Sequence, residues 1–117
     1  MIDKIIAQLK TGVIKDVIPF GSSATPASPY IVVKQDANPP NGVTYRIFVH
    51  MEKDQQIFLE DYIRNDLSIL LNGFSSETRY GNYNEIETEQ DFSSIIINND
   101  DGTISMERSF SMATRLF

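Results

Sequence analysis

Cysteine is absent from this sequence of 117 residues and histidine occurs once, so most kinds of reactive site are excluded. Without cysteine there is no disulfide bond, no thiolate metal site and no cysteine nucleophile. His50 has no second histidine with which to share a zinc ion. A Ser-His-Asp triad would have to use His50, and no serine lies in a Gly-x-Ser-x-Gly turn. We expect no enzyme activity, no bound metal and no cofactor.

Basic residues and long apolar runs are also scarce. Ten Lys and Arg stand against 16 Asp and Glu, which gives a net charge of −6. Specific nucleic-acid recognition needs clustered basic residues, so we do not expect it. No apolar run approaches the ~20 residues of a membrane span. The start of the chain lacks a basic leader with a continuous apolar centre, so we expect no signal peptide and a protein that works where it is made.

The composition that remains is that of an ordinary globular protein, with 41% hydrophobic and 22% charged residues. We expect residues 1–117 to form a single domain. Apolar residues at spacings of three and four predict a first helix from Ile2 to about Lys15, which Gly12 weakens or ends early. The residues on its apolar face are Ile2, Ile5, Ile6, Leu9 and Val13.

Two strands are predicted next. Tyr30 to Gln35 begins with consecutive apolar residues, and Val43 to His50 shows the cleanest alternation in the chain. We expect the two strands to pair as a hairpin, after a loop from Gly21 to Ser28. One face of the second strand carries Val43, Tyr45, Ile47 and Val49, and the other carries Thr44, Arg46, Phe48 and His50.

A long amphipathic helix is the strongest single prediction. Asp54 is expected to cap its beginning, and Gly73 is expected to end it in the left-handed conformation. Together with the strands, this helix predicts an α+β fold. The apolar stripe consists of Leu59, Tyr62, Ile63, Leu67, Leu70 and Leu71.

The segment from Phe74 to Asn84 is polar, aromatic and predicted to be an irregular loop, a type that is usually functional or mobile at this length. Acidic residues alternate after it, and a strand here would place carboxylates on one face. We consider three interpretations: a solvated edge strand protected by charge, a negative wall facing another anion, and a divalent-cation site without the usual calcium-loop pattern. These acidic residues are Glu85, Glu87, Glu89 and Asp91.

A second hairpin is predicted near the end, from Ser94 to Asn98 and from Thr103 to Arg115, because Asn99 to Gly102 is a strong turn signal. In its last strand, alternate residues are apolar except at Arg108.

The order of these elements resembles that of the tail-completion or tail-terminator proteins of long-tailed bacteriophages, the lambda minor tail protein U-like family that joins tail to head. The resemblance covers roughly residues 2 to 72. It rests on a proline-rich loop that ends in Pro29–Val33, a strand with an arginine at Tyr45–His50, and a helix that begins with Phe58–Ile63 and closes on Leu70 and Leu71.

The resemblance implies a mixed or antiparallel sheet with two helices on one face. It also implies a structural virion protein that forms a ring, usually a hexamer, on the head-proximal end of the tail tube. The ring would stop tube growth and bind the head connector or stopper protein, while DNA passes without specific binding. Assembly would take place in the host cytoplasm, with no membrane involved.

In that setting several residues acquire a role. The loop with Phe74, Arg79, Tyr80 and Tyr83 would dock on a partner and become ordered there. Leu116 and Phe117 would pack on the next subunit, and the acidic series would face the DNA channel. The alternative from another class is a small monomeric adaptor or regulator that binds through an exposed sheet edge.

Overall fold

The computed structural model describes residues 2–24, 26–37, 43–77, 82–88 and 95–116. Within these residues, two helices and seven strands follow one another. They are α1 (Ile2–Leu9), β1 (Val17–Pro19), β2 (Tyr30–Ala37), β3 (Val43–Glu52), α2 (residues 53–71), β4 (Ser75–Glu77), β5 (Asn82–Thr88), β6 (Ile97–Asn98) and β7 (Thr103–Leu116).

The strands form one mixed sheet in the order β1-β2-β3-β7-β5-β4, with β6 paired beside β7. Only the β1–β2 pair is parallel among the described strands, and it aligns Val17 with Ile31. The predicted hairpin of β2 and β3 is confirmed, with Tyr30 opposite His50. The long antiparallel pair of β3 and β7 forms the centre of the sheet, with Val49 opposite Met106.

Both helices pack on the same face of this sheet, which confirms the predicted α+β fold. The alternation in β3 is also confirmed, because Tyr45, Ile47 and Val49 are buried while Arg46, Phe48 and His50 are half-buried on the opposite face. We call the helix-covered face the inner face and the other one the outer face. The inner face contributes Ile31, Val33, Ile86, Ile104 and Phe110 to the core, and the helices contribute Ile5, Leu9, Leu59, Tyr62, Ile63, Leu67 and Leu71.

Helix α1 is shorter than its apolar pattern predicts. It ends at Leu9, and the amides of Thr11 and Gly12 then bond three residues back, which closes the helix with a tight turn. A Cβ atom on Gly12 would lie 2.9 Å from Cδ1 of Leu70, so α2 approaches the backbone closely at this point. The prediction that Val13 belongs to the buried face is therefore wrong, since its side chain is 63% exposed.

Helix α2 is continuous but changes its winding along the way. It consists of a 3₁₀ turn (Lys53–Gln55), an α-helical segment (Gln56–Asp61), a π-helical turn (Tyr62–Asp66) and a second α-helical segment (Leu67–Leu71). The predicted N-cap is wrong, because Asp54 lies inside the 3₁₀ turn and Glu52 holds the cap position without a side-chain hydrogen bond. The predicted end is confirmed, since Gly73 has a φ of 75°.

The π-helical turn has a partner on the sheet. The amide of Leu67 donates to the carbonyl of Tyr62, five residues back, instead of that of Ile63. The guanidinium of Arg108 on β7 donates to the oxygen of Ile63 at 2.8 Å and to that of Arg64 at 3.2 Å. Arg108 is the charged residue that interrupted the apolar alternation of the last strand, and it is buried, with 5% of its surface exposed.

The segment from Phe74 to Asn84 differs from the predicted irregular loop. Strand β4 pairs with β5, which places Ser75 opposite Glu85 and Glu77 opposite Tyr83. The amide of Ile86 donates to the carbonyl of Phe74 at 2.8 Å, which closes the hairpin next to α2. Strands pair through backbone hydrogen bonds, which do not require apolar side chains, so the sequence of β4 shows no apolar pattern. The second predicted hairpin is confirmed as β6 and β7.

Candidate functional site

The outer face of the sheet carries a groove of about 780 Å³. Alternation along β2 and β3 turns half-buried side chains toward this face, and the loop that follows β1 forms a wall beside them. Its volume lies within the range of pockets that hold small ligands or inserted side chains. We call it the sheet groove; its apolar and aromatic walls include Ile18, Phe20, Tyr30, Val32, Phe48 and His50.

The floor of the sheet groove is built around a stacked pair of rings. Tyr30 and His50 are register partners, and their ring centroids lie 4.4 Å apart with an interplanar angle of 6°. Burial lowers the pKa of His50, and the Asp101 carboxylate opposes this by a smaller amount. His50 Nδ1 is buried and has no hydrogen-bond partner within the described part of the chain. The imidazole is therefore neutral at neutral pH.

Two carboxylates, Glu52 and Asp101, lie at one end of the sheet groove, and we call them the acidic rim. The hydroxyl of Ser28 donates to Oε1 of Glu52 at 2.6 Å. Thr103 donates to Oδ1 of Asp101 from its amide at 3.0 Å and from its hydroxyl at 2.6 Å, and these bonds lower the pKa of Asp101. Neither carboxylate forms a salt bridge with a described Lys, Arg or His.

The other end of the outer face is balanced in charge. Arg46 forms a two-pronged bond with Glu107, and its Nη1 lies 3.7 Å from Asp36. Lys34 lies 3.8 Å from the same carboxylate of Asp36 and 4.9 Å from the ring centroid of Phe20. The cations at this end are paired with carboxylates, whereas the carboxylates of the acidic rim have no cation paired with them among the described residues. A bound cation would therefore be attracted to the rim.

Exposed apolar side chains mark further surfaces. On α2, Ile57 and Ile69 are 84% and 80% exposed. Twelve residues of α-helix would set them about 120° apart, but the π turn takes up one residue and reduces the angle to about 20°. Both therefore lie on the solvent-exposed side of α2, away from the core. Val13 lies in the turn after α1, and Ile95 and Ile97 are exposed near β6.

Few of the residues predicted to bind a partner can be placed. Phe74 is half-buried and packs against the core, which leaves only part of its ring for contact. Tyr83 and Leu116 are placed by their backbones on β5 and β7. Arg79, Tyr80 and Phe117 lie outside the described residues.

The acidic series is only partly visible. Glu85 is half-buried, between Ser75 of β4 and Ala113 of β7. Glu87 is placed by its backbone opposite Ser111. Glu89 and Asp91 lie outside the described residues. Strand β4 pairs with β5 from Tyr83 to Glu85, and the backbone of Gly73 and Phe74 bonds both backbone groups of Ile86.

The sheet groove was missed because its parts are distant in sequence. The alternation of β3 did place Phe48 and His50 on the face away from the core. Asp101 was recognised only as a turn residue. No local pattern indicates that this turn meets Tyr30 and Glu52 at one end of a groove.

No group of three or more His, Cys, Asp or Glu side chains in the described ranges is placed to hold a metal ion. Among the described helices, none is long and apolar enough to cross a membrane. A scan against models of protein families finds no match for the sequence, and comparisons with curated proteins and with solved structures find none either.

Proposed function

We propose that this chain is a structural protein of a phage virion, which caps the tail tube as a ring and provides the surface that joins tail to head. One observation carries the proposal: large apolar side chains are exposed on several separate surfaces of one small chain. They are Phe20 at the sheet groove, Val13 after α1, Ile57 and Ile69 on α2, and Ile95 and Ile97 near β6.

A subunit of such a ring needs several different contacts at once. In a closed ring each copy uses one surface toward the copy before it and a different surface toward the copy after it. The tail tube and the head connector then require a third and a fourth surface. Contiguous apolar patches on soluble proteins mark contact sites, whereas single exposed apolar side chains are ordinary. Exposed apolar residues on several parts of this one chain support a protein with several neighbours.

The adaptor that binds through a sheet edge receives less support. The described edge strands β1 and β4 have three residues each, and β1 ends in Pro19. Short edge strands and proline are ways in which proteins prevent strand addition. A peptide added beside β1 would find few free backbone groups.

The proposed work requires no reactive group. Shape, apolar contact and charge would hold the ring on the tube, and the acidic residues of β5 would keep DNA from adhering to the channel wall. The partners would be further copies of this chain, the tail tube protein and the connector or stopper of the head. The chain would reside in the virion at the head-proximal end of the tail.

Electron microscopy tests the proposal. Tubes assembled from the tail tube protein encoded in the same genome are mixed with the chain and imaged. We expect additional density at one end of each tube and a closed ring in axial views. Two variants are compared with the unmodified chain. One carries both Ile57→Asp and Ile69→Asp on α2, and the other carries Val13→Asp.

These variants change only exposed side chains, so their folding should be preserved, which circular dichroism checks. At least one of them should lose the cap. Tubes that remain bare with the unmodified chain would contradict the proposed function.

A further inference from the structure

The turn after α1 presents two lysines around an exposed apolar side chain. Lys10 and Lys15 are exposed, and Val13 lies between them with most of its surface in solvent. Neither lysine forms a salt bridge with a carboxylate of the described residues. Nζ of Lys15 donates to the carbonyl of Lys10 at 3.2 Å, which brings the two ends of the turn together. We call residues 10–15 the basic turn.

Hydrogen bonds and core packing fix the conformation of the basic turn. The side-chain Nε2 of Gln8 donates to the carbonyl of Leu70 at 2.9 Å, and the hydroxyl of Thr11 donates to the carbonyl of Gln8 at 2.6 Å. Ile14 is buried in the core directly after Val13. Gly12 lets α2 approach its backbone. A projection that is already rigid loses little conformational entropy when it binds.

The sheet groove has the complementary features. Its walls include Ile18, Val32 and Phe48, which offer an apolar surface to a valine side chain. Its acidic rim lacks a cation among the described groups. Charges that are complementary across a contact favour the correct pairing and disfavour the like-charged one.

We propose that the sheet groove of one copy receives the basic turn of the next copy, with Val13 between the apolar walls and the lysines at Glu52 and Asp101. This inference rests on the proposed ring and names its contact between neighbours. The contact joins two different surfaces, so it repeats head to tail and can close into a ring.

The other candidate surface of the same chain fits less well. The exposed side of α2 carries Ile57 and Ile69, and its two basic residues are Lys53 and Arg64. Four carboxylates outnumber them along the same helix, namely Asp54, Glu60, Asp61 and Asp66. Those carboxylates would face the acidic rim and be repelled. Lys34 and Arg46 are engaged with Asp36 and Glu107, and Arg108 is buried.

Two charge-reversal variants test the contact. One carries Lys10→Glu with Lys15→Glu, and the other carries Glu52→Lys with Asp101→Lys. Each variant alone would bring like charges together at every contact, so its self-association should weaken by about tenfold or more. In an equimolar mixture the two variants can alternate, and every contact is then complementary again. Sedimentation velocity at low ionic strength, where charges are least screened, should show association restored in the mixture.

The control is Arg64→Glu, a charge reversal on α2, which covers the opposite face of the sheet from the groove. It should associate as the unmodified chain does. If either reversal variant fails to fold, Lys10→Gln with Lys15→Gln and Glu52→Gln with Asp101→Asn remove the charges more gently and should weaken association in the same direction.

Three results would overturn the inference. They are an unmodified chain that stays monomeric up to about 1 mM, reversal variants that associate normally, and a mixture that fails to recover. The tube-capping experiment is independent of all three. A chain that caps tubes while its charge reversals have no effect keeps the proposed function and loses only this contact.

Discussion

Arg108 on β7 donates to the backbone carbonyl of Ile63 on α2 at 2.8 Å, across 45 residues of sequence. The same Nη1 atom lies 2.7 Å from the hydroxyl of Ser68. This contact occurs where the π turn withdraws the amide of Leu67 from the Ile63 oxygen. A buried carbonyl without a partner costs about 1–3 kcal/mol, so the guanidinium offsets the cost of the π turn and fixes α2 on the central strand.

Replacing Arg108 with methionine should destabilise the protein. The substitution keeps most of the side-chain volume but leaves the carbonyl of Ile63 without this donor, while the carbonyl of Arg64 still accepts from the hydroxyl of Ser68. We expect the free energy of unfolding in urea to fall by about 2–3 kcal/mol. The control is Arg64→Met on the exposed side of the same turn, which should change it by about 0.5 kcal/mol or less. Equal effects of the two substitutions would show that the contact contributes nothing particular.

Removing the hydroxyl of Tyr62 should stabilise the protein. The ring is buried against the core, and Oη has no hydrogen-bond partner among the described residues. Tyr62→Phe relieves the desolvation of that oxygen and should raise the free energy of unfolding by about 1 kcal/mol at pH 7. The control is Tyr45→Phe, which removes the hydrogen bond from Tyr45 Oη to the sulfur of Met112. This variant should have a slightly lower free energy of unfolding. A large loss in Tyr62→Phe would reveal a partner for the hydroxyl.

The same residue predicts a pH dependence at the alkaline end. Burial, with a smaller contribution from Asp66, raises the pKa of Tyr62 above the ordinary value of 10.0. The unfolded chain therefore releases this proton first, and stability falls as the pH rises above about 10. The free energy of unfolding of the Tyr62→Phe variant should fall less over that range, as measured by urea unfolding at successive pH values. Parallel curves for the two proteins would contradict the burial of the hydroxyl.

His50 predicts a pH dependence at the acidic end. Burial lowers its pKa, so the unfolded chain binds the proton at a higher pH than the folded chain does. Stability from this group is complete above about pH 6.5 and is lost as the pH falls below it. His50→Phe keeps an aromatic ring on Tyr30 and should remove the fall between about pH 7 and pH 5.5. The sequence holds a single histidine, so an NMR titration assigns the effect without ambiguity. A rise in the free energy of unfolding on acidification would contradict the expected loss of stability.

Neutralising the acidic series should leave the fold intact. Changing Glu85, Glu87 and Glu89 to Gln removes two charges from β5 and one from the residue that follows it in sequence, and it changes no backbone group. We expect the free energy of unfolding to change by about 1 kcal/mol or less. If the triple variant unfolds, these carboxylates are paired in the interior, and a role in facing a DNA channel is excluded.

Local patterns predicted the elements that carry most of the fold. The alternation in β3 and the turn before β7 were sufficient to place both hairpins, since period-two burial and turn residues act over a few positions. Strand β4 was missed because Ser75, Ser76 and Glu77 are polar residues with no apolar alternation, while strand pairing is a property of the backbone. The π turn was missed because one inserted residue changes a helical pattern very little.

The candidate site was less predictable for a physical reason. Arg108 interrupts an apolar strand, and the sequence does not tell whether such a residue is a defect or a buried donor for a distant carbonyl. The sheet groove depends on how the loop after β1 lies against Tyr30 and on where the turn with Asp101 meets β3. Both are relations between remote segments, which local periodicity does not contain.

The decisive measurement is the length distribution of tail tubes grown with and without this chain. The tube protein is polymerised in the presence of increasing concentrations of the chain, and the tubes are measured by electron microscopy. We expect tubes to stop growing, to carry a ring at one end and to become shorter as more chain is added. Tubes that grow to the same lengths at every concentration would contradict it.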